Sequence, residues 1–354
     1  MKNFGFVLAL ILVLLAALLA GPLKKPYQEW QHYWTATPKE KAKIHYSKGY
    51  KYGEDGRYQQ ALYHYGRAIH FNPSLSSAYY NRGTLKNDYG HYKSALEDFD
   101  KAIEINPKDA SAYNNRAYSK NNLKDHQGAL EDATKALELN DKNASAYNNR
   151  GIAKESLGDY VGAIEDYDKS LALRPNYTRT YTNRGNAKAD IGDYKGALAD
   201  HNKALELAPN NSGAYNNRAL VKDALKDYMG ALEDYDHALR LSPYYAGAYN
   251  NRGYTKNHMG DYQGALEDTE KAILINPRLA EAYNNRGFAK AALGDYSSAI
   301  EDYNHAISLK ETLAEAYRYR AQAKEALGDH NGAAEDFAKE KELTKKKQRF
   351  AAGI

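Results

Sequence analysis

The chain has no cysteine among its 354 residues, and only two tryptophans, three methionines and seven phenylalanines. Without thiols there are no disulfides, thiolate metal sites or cysteine nucleophiles. The cytosol and an export route both remain compatible with that absence. Charge of one sign is also missing, since 49 Lys and Arg face 45 Asp and Glu for a formal net charge of +4. Nucleic acid usually demands a strongly basic face, so it is not an expected partner. There is no HExxH, no Walker loop and no GxGxxG, and the 11 histidines are scattered without paired metal spacing. The chain reads as a non-enzyme with neither metal nor cofactor. Tyrosine alone is abundant, at 33 copies. Most of these recur in columns, which makes them packing elements first.

Long apolar runs are confined to one place. Phe4 to Leu23 carries no charge and follows a single Lys2. About 20 apolar residues suffice to cross a bilayer as a helix. A cleaved signal peptide would have a shorter apolar region and a small-residue cleavage site. Ala16, Ala17 and Ala20 offer small residues but no A-x-A motif, and Lys24 and Lys25 follow as they would after an anchor. Just beyond lie Tyr27, Trp30, Tyr33 and Trp34, of which Tyr27, Trp30 and Trp34 share one helical face. Amphipathic aromatics after an apolar span suit a membrane interface, which favours the retained anchor over the cleaved, secreted or periplasmic form. The alternative for the collar is a cover on the end of the first repeat. Flanking lysines argue for cytoplasmic repeats, whereas a signal-like segment at the N-terminus argues for export, and the extracytoplasmic side is the reading taken.

The rest repeats. Tyr79, Tyr113, Tyr147, Tyr181, Tyr215, Tyr249, Tyr283 and Tyr317 recur at one fixed interval, and units of 34 residues fit from Ala42 without insertion. A period of this length marks a solenoid. Within a unit, apolar residues at helical spacing form two blocks. In the fourth unit the first block runs from Ala144 to Leu157, and Gly158 stops it. Asp159 is placed to cap the second block, Tyr160 to Leu173, and Pro175 closes the unit. Each unit is therefore predicted to be a helical hairpin.

Tyr147, Arg150, Gly151, Lys154, Ala163, Tyr167 and Pro175 match the spacing of the tetratricopeptide repeat pattern. The chain resembles that family over nine in-phase units: 42–75, 76–109, 110–143, 144–177, 178–211, 212–245, 246–279, 280–313 and 314–347. Arg and Lys stand where the family usually has Leu and Tyr. The resemblance implies an all-α, right-handed superhelical solenoid of helix-turn-helix repeats, its first helices lining a concave side. Residues 1–25 are read as a transmembrane anchor or signal peptide that forms an N-terminal hydrophobic helix. Residues 26–41 are an aromatic juxtamembrane linker and 348–354 a tail. No extra capping helix is expected after the last repeat, only a basic tail, Lys345–Arg349.

The columns divide into structure and function. Small residues such as Ala78, Ala95, Ala102 and Gly83 allow helices to approach. Tyr92, Tyr160, Tyr194, Tyr228, Tyr262 and Tyr296 should wedge between neighbouring hairpins. Arg82, Arg116, Arg150 and their successors precede lysines by four residues, an arrangement that opposes a helix unless neutralised. Asp98, Asp132, Asp166 and their successors supply matching charge from the second helices.

Two asparagine columns remain: Asn81, Asn115, Asn149, Asn183, Asn217, Asn251 and Asn285, with Asn114, Asn148, Asn216, Asn250 and Asn284 beside them. Asparagine is roughly 0.6 kcal/mol worse than alanine in a helix, so a dozen copies need a reason. A carboxamide both donates and accepts, and can pair with any peptide group. Common descent from one Asn-Asn ancestor is the alternative. The resemblance implies that these amides face the groove, where some superhelical members use such a ladder on extended polypeptides. Variable neighbours, among them Tyr118, Ile152, Leu220, Tyr254 and Phe288, would select side chains. The family's basic carboxylate clamp is not matched at most of its positions.

The expected function is thus a membrane-tethered or exported protein–protein interaction scaffold. Its partner is a protein or peptide in extended conformation, and residues 4–23 contact the membrane. The alternative is an assembly element that self-associates as a homo-oligomer or stacks within a complex.

Overall fold

The computed structural model describes residues 33–351, with side chains to residue 346. The apolar segment 4–23, Tyr27 and Trp30 lie outside the described residues. Among those described, every regular element is an α-helix, and no helix is long and apolar enough to cross a membrane.

Two units are distinguished, one ending at Asp159 and one beginning at Tyr160. The first holds α1 (Pro38–Glu54), α2 (Tyr58–Phe71), α3 (Ser76–Asp88), α4 (Tyr92–Ile105), α5 (Ala110–Asn122), α6 (His126–Leu139) and α7 (Ala144–Ser156). The second begins with α8 (Tyr160–Leu173), α9 (Thr178–Asp190), α10 (Tyr194–Leu207), α11 (Ser212–Ala224) and α12 (Tyr228–Leu241). It continues through α13 (Ala246–Met259), α14 (Tyr262–Ile275), α15 (Ala280–Ala292), α16 (Tyr296–Leu309), α17 (Ala314–Ala326) and α18 (His330–Ala351). In the first unit α1–α6 pair as successive hairpins and in the second α9–α18 do, and each hairpin packs on the next.

Local chemistry sets these boundaries. Helix α1 opens on a capping box, in which Thr37 and Glu40 exchange hydrogen bonds around Pro38. At the end of α3, the Gly90 and His91 amides donate back to the Asn87 and Lys86 carbonyls, with Gly90 at φ +76°. That conformation favours glycine, which has no Cβ to clash. In other hairpins the second helix starts where an aspartate accepts from the amide three residues on, as Asp125, Asp193, Asp227 and Asp261 do.

Packing rests on small residues opposite large ones. Ala61, Ala95 and Ala129, in equivalent positions of α2, α4 and α6, are fully buried. The Phe99 ring lies so near Gly83 that a Cβ there would stand 2.9 Å from it. Burying such a ring contributes roughly 2 kcal/mol. The expected wedge is seen where Tyr92 meets Tyr118 of the next hairpin edge-on, ring centroids 6.0 Å apart. Tyr228 meets His258 of the next hairpin with the two rings parallel, centroids 6.5 Å apart.

The arginine column braces two hairpins at once. Arg116 donates from Nε and Nη2 to Asp132 of its own hairpin, and from Nη1 to Asp100 on the preceding second helix at 2.7 Å. Arg184 treats Asp200 and Asp168 alike. Burial opposes the charged guanidinium of Arg184, but the hydrogen bonds and attraction of Asp200 and Asp168 outweigh it and raise its pKa. Lys120 and Lys188 complete the triads at 2.8 Å from Asp132 and Asp200.

The basic run expected as a tail instead continues α18, which is 22 residues long against 14 for α16. No proline interrupts it. Lys339 and Lys346 both pair with Glu342 along one face, at 2.9 and 3.5 Å.

Candidate functional site

All the asparagines of both columns fall on first helices, from Asn81 on α3 to Asn284 and Asn285 on α15. The second column is the more enclosed, with Asn114, Asn148, Asn216, Asn250 and Asn284 buried. Asn149 and Asn285 are buried too, and Asn81, Asn115, Asn183, Asn217 and Asn251 are half-buried.

Within each unit the amides bond to one another. Asn149 Nδ2 donates to Asn114 Oδ1 at 3.0 Å, across one hairpin interface. Asn251 and Asn285 repeat this towards Asn216 and Asn250, at 3.1 and 2.9 Å. Where the earlier residue is not asparagine, another oxygen stands in. Asn81 donates to Tyr46 Oη at 2.7 Å, Asn115 to Thr84 Oγ1 at 3.0 Å, and Asn217 to Asn186 Oδ1 at 3.0 Å. The row is therefore a hydrogen-bonded seam between hairpins. Each amide in it keeps part of its capacity for two donated and two accepted bonds.

The variable neighbours sit beside this seam. Leu220 and Tyr254 are each 44 % exposed, while Tyr118, Ile152 and Phe288 are half-buried. Tyr254 and Phe288 come together in a shallow concavity crossing three consecutive first helices of the second unit. Helix α13 gives it Tyr254, Asn257 and His258; α15 gives Asn284, Asn285 and Phe288; α17 gives Glu315 and Tyr319. The rings brace its walls, with His258 edge-on to Tyr254 at 4.4 Å and Tyr319 edge-on to Phe288 at 5.1 Å. Burial is the main reason that the Tyr254 hydroxyl has a raised pKa, with Glu315 adding to it.

Asn257, His258, Glu315 and Tyr319 are not among the residues that the sequence columns single out. Asn257 shares its position with Asn87, Asn121 and Asp223, a broken column that could have shown it. Tyr319 stands where the Asn-Asn pair lapses, and reads in the sequence as drift of a terminal repeat.

At the start of the first unit, Tyr33 does not stand free. Its hydroxyl is 3.1 Å from His45 Nε2, its ring packs edge-on to the His45 ring, and His45 Nδ1 is 2.8 Å from His64 Nδ1. These contacts fit an end cover on the first hairpin. Trp34, packed edge-on against Tyr33, is exposed. Burial, with the nearby His64, Arg67 and Lys48, lowers the His45 pKa to about 4.

Segments 76–109, 144–177, 178–211, 246–279 and 280–313 match a family model described as the tetratricopeptide repeat. A second model of the same description matches 99–131 and 202–233. Together they span more than half of the chain. No curated protein sequence matches it. Among solved structures, a chain of the APC/C hetero-tetramer Cut9–Hcn1 is 15 % identical, over 85 % of this chain and 73 % of that one, with a TM-score of 0.61. A tetratricopeptide repeat protein from Parabacteroides merdae is 21 % identical, over 71 % and 99 %, with a TM-score of 0.57. MamA is 29 % identical, over 47 % of this chain and 96 % of that one, with a TM-score of 0.41. The first two likenesses are of fold.

Proposed function

The chain belongs to the tetratricopeptide repeat family, and from that premise we propose that it is a non-catalytic scaffold holding an extended stretch of another protein along its first helices. Repeats of this family serve protein–protein interaction. The observation that carries the proposal is the concavity on α13, α15 and α17, where exposed and differing side chains stand beside the amide seam. An extended chain advances about 3.3 Å per residue and neighbouring helices lie about 8–10 Å apart. A bound segment would therefore pass a new first helix every third residue or so. The seam fixes the helix spacing, and its unused amide hydrogens offer main-chain contacts. Tyr118, Ile152, Leu220, Tyr254 and Phe288 would choose the side chains. In the same proposal residues 4–23 tether the scaffold to a membrane, with the repeats on the extracytoplasmic side.

The test uses the full chain and a fluorescein-labelled set of ten-residue peptides without helix propensity, read by anisotropy. Saturable binding should weaken by about tenfold in Leu220→Glu and Tyr254→Glu, which bury a charge against the bound chain, without a lower melting temperature. Binding untouched by both changes would sink the reading. Growth of particle size with concentration, insensitive to both changes, would favour self-assembly instead. The tether is checked by alkaline extraction of membranes, which should release the protein only after deletion of residues 4–23.

A further inference from the structure

The amide seam of the second unit stops inside the concavity. Where both partners belong to the asparagine columns, its bonds join residues 35 apart, as Asn285 donates to Asn250. The residue that would donate in turn to Asn284 is Tyr319, which has no amide and whose hydroxyl accepts from Arg318 at 3.2 Å. Asn284 Oδ1 is left buried without a partner, on a residue 3 % exposed.

A second carbonyl in the same place is stranded for a parallel reason. Asn257 Nδ2 donates to the Asn285 backbone carbonyl at 2.9 Å, but its Oδ1 has no partner, and the residue is 6 % exposed. At equivalent positions the next hairpin supplies a hydroxyl: Ser119 Oγ to Asn87 Oδ1 at 2.8 Å, and Thr255 Oγ1 to Asp223 Oδ2 at 2.5 Å. Here the position is Ala289, which has none. A buried acceptor without a donor keeps the full cost of its lost hydration. The two residues that carry these carbonyls line one concavity with the exposed Glu315, for which no ion pair is found among the described residues. Around these acceptors stand Tyr254, Phe288 and Tyr319.

We propose that this concavity is the subsite for an arginine side chain of the bound segment. It rests on the scaffold reading and names what that scaffold selects. A guanidinium carries only donors, five of them in a planar fork, which suits two carbonyl oxygens and a carboxylate. Its flat face also stacks on aromatic rings. A lysine ammonium offers three donors from one point and is more strongly hydrated. Glutamate or a C-terminal carboxylate would bring acceptors to acceptors. Arg318, stacked on Tyr319 at 4.9 Å and donating to its hydroxyl, leaves both carbonyls unanswered.

The experiment uses the full chain and four labelled ten-residue peptides, identical except for a central Arg, Lys, Gln or Glu. The arginine peptide should bind about tenfold tighter than the glutamine peptide, the order expected of hydrogen bonds to a charged group, and the glutamate peptide weakest. Ala289→Ser should satisfy Asn257 from within, raise the melting temperature and reduce the arginine preference. Glu315→Gln, at an exposed site, should reduce it as well. Equal binding of all four peptides, or a preference that survives both substitutions, overturns the subsite and leaves the scaffold standing. Binding by none of the four overturns both.

Discussion

At the scale of the residue, His201 is the group most at odds with its surroundings. It fills a position held elsewhere by Phe99, Tyr167, Tyr235 and Tyr303, is fully buried, and neither ring nitrogen has a partner. Burial is the main cause that lowers its pKa to about 4, Asp200 opposing and Arg218 reinforcing. The folded state thus holds a neutral imidazole, while the unfolded chain binds a proton near the ordinary value of about 6.5. Stability from this site is whole above that pH and is lost as pH falls from about 6.5 towards 4, by on the order of 3 kcal/mol. Melting curves at pH 6.5 and 4.5 should show a drop that His201→Phe reduces, with a share from His45 remaining; equal drops in both proteins would refute it. Two lysines give a second residue-scale prediction. Lys124 and Lys226 hold φ of 65° and 63° at turns where other hairpins use glycine. The left-handed conformation costs a side chain roughly 1–2 kcal/mol, part of which glycine's looser unfolded state gives back. Lys124→Gly and Lys226→Gly should each stabilise by roughly 0.5–1 kcal/mol in urea unfolding.

At the scale of the element, the hairpin depends on its charged triads. Asp234 is 2 % exposed and accepts from Arg218 at 2.5 Å and Lys222 at 2.8 Å. Asp234→Asn would leave two half-buried cations without a counter-charge and should cost about 3 kcal/mol. Denaturant unfolding that shifts by less than about 1 kcal/mol, the range of a surface pair, would show the triad to be ornamental. This element was legible in the sequence, because Arg, Lys and Asp recur in register and helical spacing forces them together. Gly90, Asp125 and Pro175 punctuate it just as plainly. The bonds of the asparagine seam were not. Those of Asn149, Asn251 and Asn285 join one column to the other across a hairpin interface, and nothing in the local spacing says which side of a first helix the neighbouring hairpin covers. The stranded carbonyls of Asn257 and Asn284 were further hidden, since each is caused by a residue in the following hairpin, Ala289 or Tyr319.

At the scale of the molecule, contacts in each unit are short in sequence: a helix meets its next and next-but-one neighbours. Stability in such an array is close to a sum of local and nearest-neighbour contributions. Asp336→Asn, which frees Arg320 and Lys324, should therefore lower hydrogen-exchange protection in α17 and α18 while leaving α9 and α10 unchanged. A uniform loss across the second unit would instead mean that it unfolds as one body.

The amide seam also gives the array a direction. Its bonds between Asn149 and Asn114, Asn251 and Asn216, and Asn285 and Asn250 all have the later hairpin donating to the earlier. A row of aligned donors and acceptors is a vector, with unlike ends. A peptide backbone is a vector too, with amide and carbonyl alternating in one sense. Two such rows laid side by side are not equivalent when one is reversed, so a bound segment should have a single N-to-C orientation along the first helices. A sequence and its retro-inverted order are then different ligands to this surface, even when every side chain is the same.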